Sequence, residues 1–204
     1  GHGIIKITNG TGADTLTFLD LGMRGAGATL DLQPGIVTIG FATAPAGTNG
    51  ILGGYATFNG VDFATPAGGQ YTAAIPLVAA PGGLTNYVLT TGSLNFSAAN
   101  QSLNSLKIVG TSGVTTVGLN GILTVTSGGV LFDNTGGTVG TPFKGLISGG
   151  TQLGANNSEV IVTTNGTGDA TSNLTISSLI SSGTGSLTKA GTGTLVLSGA
   201  NVYT

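Results

Sequence analysis

Gly185-Ser186-Leu187-Thr188-Lys189-Ala190-Gly191-Thr192-Gly193-Thr194-Leu195-Val196-Leu197-Ser198-Gly199-Ala200-Asn201-Val202-Tyr203-Thr204 is the stretch that decides how this chain folds. Leu and Val alternate with Thr and Ser, glycine interrupts the alternation, and the stretch ends on Gly-Ala-Asn-x-Tyr-Thr. Side chains at every second position share one face of a strand, whereas a helix needs apolar residues every third or fourth position. The stretch therefore reads as strand, turn, strand, turn. Within Thr194–Ser198, Leu195 and Leu197 are expected to point inward.

The same grammar recurs upstream. Short alternating runs lie at Ile4–Thr8, Thr15–Leu19, Thr29–Leu32, Ile36–Gly40, Leu103–Val109, Val114–Val117, Ile122–Thr126, Val130–Phe132, Glu159–Thr163 and Leu174–Leu179. In Ile122–Thr126, Leu123 and Val125 are expected inside, with Thr124 and Thr126 outside. Turn dipeptides separate the runs, among them Asn49-Gly50, Asn59-Gly60, Asn120-Gly121 and Asn165-Gly166, which supply the positive φ angles of tight turns. An antiparallel sandwich or barrel and a β-solenoid both fit many short strands with regular turns. Runs of four or five residues with short gaps favour the solenoid. At roughly 20–25 residues per three-faced coil, the chain would hold about eight or nine coils.

Composition agrees. Glycine supplies 39 of 204 residues without a Gly-X-Y period, and charged residues are 6%, so neither collagen nor a disordered chain is indicated. Tryptophan and cysteine are absent, and a fold without disulfides has to draw on other sources, such as continuous backbone ladders. Five basic residues against seven acidic ones cannot build a nucleic-acid surface. The longest apolar run, from Tyr71 to Leu84, is broken by Pro76 and Pro81 and does not reach membrane-spanning length. Gly1-His2 reads as a tag remnant, and the chain as a single solenoid fragment (1–204) of a larger protein. Residues 41–83 hold four of the six prolines and are expected to be coils with protruding loops.

The terminal stretch 186–204 closely resembles the autotransporter-associated β-strand repeat of bacterial surface proteins. Leu119-Asn120-Gly121-Ile122-Leu123-Thr124-Val125, Gly128-Gly129-Val130-Leu131 and Glu159-Val160-Ile161-Val162-Thr163-Thr164-Asn165-Gly166 are similar to other pieces of such repeats, and so is 51–65. The resemblance implies a right-handed parallel β-helix, an extracellular or cell-surface location, and a stalk or passenger role. Partners would be neighbouring repeats, or other copies stacked end to end.

Catalytic constellations are hard to assemble. Acidic residues are scattered, and the best cluster is Asp14, Asp20 and Asp31 with Arg24 nearby, though aspartates also cap turns. The single Glu, Glu159, reads as an exposed edge charge. His2 is the only histidine, so neither a Ser-His-Asp site nor a His/Cys metal site can be built. Lys189 invites an isopeptide bond but reads more simply as a solvated turn residue. No enzyme activity, cofactor or metal is expected. Tyr55, Phe58, Phe63 and Tyr71 form the one candidate ligand-facing set, an aromatic platform for glycans, against the plainer reading of apolar plugs on a solenoid flank. The leading expectation is a structural segment; the alternative is an adhesin module recognising glycans through 41–83.

Overall fold

The structure is a computed structural model that describes residues 1–7, 15–35, 38–43, 45–66, 84–138, 140–155, 159–166, 171–181 and 185–203. It is all-β, with no helix among the described residues. Nineteen strands follow in order among the described residues. The first six are β1 (His2–Lys6), β2 (Thr15–Phe18), β3 (Thr29–Gln33), β4 (Thr38–Phe41), β5 (Ala56–Phe58) and β6 (Asp62–Phe63). Next come β7 (Asn86–Leu89), β8 (Ser93–Asn95), β9 (Asn100–Leu103), β10 (Ser105–Val109), β11 (Val114–Leu119) and β12 (Ile122–Val125). The rest are β13 (Gly129–Asp133), β14 (Lys144–Gly149), β15 (Gln152–Gly154), β16 (Val160–Asn165), β17 (Asn173–Ile176), β18 (Leu187–Ala190) and β19 (Thr194–Leu197).

From β7 onward the chain visits three sheets in rotation. The first has the order β18-β16-β13-β10-β7, the second β19-β17-β14-β11-β8, the third β15-β12-β9. Every pairing in them is parallel. A parallel bridge from Leu153 to Ile180 carries the third sheet one step further. Mostly parallel sheets visited in this way are compatible with a β-solenoid. The interval between cross-strand partners is uneven: Tyr87 pairs with Leu106, Leu106 with Val130, Val130 with Val162, and Val162 with Lys189. The longest interval, from Val130 to Val162, includes an antiparallel bridge between Thr138 and Thr141.

Alternation fills the interior as the sequence leads one to expect. Leu123 and Val125 are buried while Thr126 is exposed, and Leu195 and Leu197 pack against the same core. That core runs through all three sheets, with Leu106, Val130 and Val162 stacked at paired positions of the first sheet. Each such aliphatic side chain removed from water contributes about 1.5–3 kcal/mol. Leu103–Val109, read as one run, is two strands meeting at a corner on Asn104, which is fully buried. Its Nδ2 donates to Asn86 Oδ1 (2.6 Å) and Thr48 O (3.1 Å), and this is how a polar corner enters the interior without stranding its amide. The terminal motif has similar logic. Asn201 Oδ1 accepts the Ile180 N–H at 2.8 Å, and a Cβ on Gly199 would lie 2.4 Å from the Ser178 carbonyl oxygen.

Residues 1–66 carry their own parallel ladders, β1-β3-β5 and β2-β4, the first extended by an antiparallel β6. They enclose a separate core around Leu32, Ile39, Leu52 and Ala56. The loops expected over 41–83 are described only as far as residue 66, and 67–83 lie outside the described residues. Residues 45–66 lie against the outer face of the first sheet rather than projecting from it. Ile51 and Phe63 close on Leu131, which points away from the core that holds its neighbours Val130 and Phe132. The approach is backbone to backbone: a Cβ on Gly54 would sit 2.2 Å from the Gly129 nitrogen, so neither position accepts a side chain.

Candidate functional site

The seam between residues 1–66 and the first sheet holds Arg24, Asp31, Asp62, Lys107, Asp133 and Glu159, six of the chain's twelve charged residues. Outward positions of that sheet carry Lys107, Asp133, Thr163 and Asn165, and the flank laid over them supplies partners. Lys107 Nζ lies 2.6 Å from Asp62 Oδ1 and 3.9 Å from Asp133 Oδ2, with 11–13% of each side chain exposed. Farther along, Arg24 Nη2 donates to Glu159 Oε2 at 2.7 Å, and Gly27 N–H donates to Oε1 at 3.0 Å. The Thr188 hydroxyl also donates to Glu159. Burial works to raise the Glu159 pKa. The hydrogen bonds from Thr188 and Arg24, the Arg24 charge and the Gly27 amide outweigh it and hold the carboxyl below its ordinary value. Glu159 is therefore a buried anchor, not the exposed edge charge that its position at a strand start suggests.

Between these contacts lies a cleft of about 220 Å³, lined by Asp31, Gln33, Tyr55, Asn59, Thr163 and Asn165 among others. Asp31 is fixed from three sides: Thr57 Oγ1 at 2.8 Å, the Gly60 amide at 2.7 Å and Gln33 Nε2 at 2.6 Å. Asn165 Nδ2 donates to Gly60 O at 2.7 Å and ties the cleft floor to the sheet. Tyr55 is half-buried, its ring 5.0 Å from the Arg24 guanidinium carbon. Burial raises its phenol pKa, opposed by the Arg24 charge.

No family model, curated protein or solved structure matches this chain.

The aromatic set separates. Tyr55 lines the cleft, and Phe58 packs against the core of the N-terminal part. Phe63 is 3% exposed in the seam, so it presents no ring to a ligand. Tyr71 lies outside the described residues. The aspartate cluster is not assembled. Asp20 caps a turn by accepting the Gly22 amide, Asp31 is engaged in the cleft, Arg24 turns to Glu159, and Asp14 is outside the described residues. Among the described residues no group of three or more His, Asp or Glu side chains could hold a metal ion. Lys189 is exposed and donates to the turn carbonyls of Ala190 and Gly191, and burial of its stem lowers its pKa. Sequence reasoning missed the Lys107, Asp62 and Asp133 group, whose members lie on three separate strands.

Proposed function

We propose that this chain is a structural segment of a secreted, surface-displayed bacterial protein, a stalk or passenger of the autotransporter type. In this reading the three sheets wind as a right-handed parallel β-helix. The observation that carries it is the rotation of β7 to β19 through three parallel sheets with stacked aliphatic positions. Such a ribbon is stiff because each rung is hydrogen-bonded to the next, and its neighbour-only contacts allow indefinite extension. Outward Thr and Ser with little net charge suit a neutral shaft. The edge strands β18 and β19 have ladder groups facing away from their sheets, and Val196 is 40% exposed. A further rung, from the same protein or from another copy, fits there. Small-angle scattering across a concentration series tests the reading. Elongated particles that lengthen with concentration are expected; a compact, concentration-independent particle would remove it.

The cleft favours a second reading, an adhesin module for neutral glycans. An aromatic face beside amide, carboxylate and hydroxyl groups is the chemistry that recognises sugar rings. Selective retention on a glycan array, lost in Tyr55→Ala, is the expected outcome. Retention that survives Tyr55→Ala speaks against it.

A further inference from the structure

The group formed by Lys107, Asp62 and Asp133 has the parts of a self-condensing site. Lys107 is on β10, between Val88 and Leu131 of the adjacent strands. Asp62 comes from β6 on the flank and is followed by Phe63, which closes on Ile51 and Leu131. The amine thus meets a carboxyl group at 2.6 Å beside an apolar cluster, and a second carboxylate stands 3.9 Å from the same nitrogen. Fixed proximity of this kind replaces a bimolecular encounter with an intramolecular one. Two opposite charges drawn out of water are costly to keep, and a neutral amide relieves that cost.

We infer that Lys107 and Asp62 join in an intramolecular isopeptide bond, with Asp133 shuttling the proton. The Lys107 ammonium passes one proton to the Asp62 carboxylate, leaving a neutral amine and a carboxylic acid. Nζ attacks Asp62 Cγ, forming the C–N bond. Asp133 takes the second proton from nitrogen and delivers it to the departing hydroxyl, the C–O bond breaks, and one water leaves. Asp133 ends as it began, and the net charge of the chain is unchanged. The bond fastens the flank to the first sheet in a chain that has no cysteine for a disulfide.

Intact-mass spectrometry of the full chain, folded and then denatured, tests this. The expected mass is the sequence mass less one water. Trypsin does not cut after an acylated lysine, so residues 25–144 are expected as one peptide, also lighter by one water. Lys107→Arg retains a cation beside Asp62 but cannot condense, and Asp62→Ala removes the acceptor; both are expected at full mass. Asp133→Asn is expected to slow bond formation by roughly 10²-fold or more. A wild-type chain at full mass overturns the inference without recourse to any variant. So does a water lost while cleavage after Lys107 persists, since that places the dehydration elsewhere. Formation at an unchanged rate in Asp133→Asn overturns the shuttle role.

Discussion

Glu159 holds three donors on two carboxylate oxygens, two of them from neighbouring positions of the flank, Arg24 and Gly27, and one from Thr188 on β18. Its folded pKa lies below the ordinary value of 4.5, so its contribution to stability is present above that value. It is lost as pH falls through the depressed folded value, because the unfolded chain takes up the proton first. Urea midpoints are therefore expected to be level above pH 4.5 and to fall below it. Glu159→Gln keeps the shape but gives up the charge, and should cost about 1–3 kcal/mol at neutral pH and flatten that part of the profile. Equal acid sensitivity in both proteins would show that other carboxylates set the profile. The identity of Glu159 as an anchor was not legible in the sequence, because Arg24 and Gly27 reach it only when the flank folds onto the sheet, and Thr188 only through the β16–β18 pairing.

Elements were more legible than their boundaries. Alternation at Ile122–Thr126 and Thr194–Ser198 placed inward residues correctly, since a period of two leaves no other face for Leu123 or Leu195. Strands rich in Ser, Asn and Gly, such as β8, β9 and β15, lack that signal and owe their form to the ladder beside them. The outer cover had a faint sign: Leu131 and Ile161 occupy outward positions where a solvated strand carries Thr or Ser. Corners are polar for a reason that composition hides. Asn86 Oδ1 accepts from Asn104 Nδ2 and from Ser105 Oγ, so one buried oxygen ties two successive rungs. Asn104→Ala removes one of those donors and leaves Thr48 O without this bond, which is expected to cost about 1–3 kcal/mol in denaturant unfolding. A variant as stable as wild type would show that the corner is held by backbone bonds alone.

At the scale of the whole molecule, the parallel ladders leave an unequal surface. The interior positions of the parallel sheets are filled by alternation and, on one side, covered by the flank, while β19 ends the second sheet with Leu195 and Leu197 only half-covered. An edge with apolar side chains and unpaired backbone groups recruits another strand unless a charge discourages it. Val196 lies on that strand opposite Thr175, exposed, and away from the residues that pack on the core. Val196→Lys should therefore leave the unfolding transition close to wild type and weaken end-to-end association. A shift of about tenfold in the concentration for half-elongation corresponds to about 1.4 kcal/mol. Thr124→Lys is the matched control, because β12 sits between β9 and β15 and exposes no free ladder. If end stacking drives elongation, only the edge variant shifts the scattering series. If both variants shift it equally, side-to-side contact between shafts is responsible, and the axial assembly proposed for this protein is wrong.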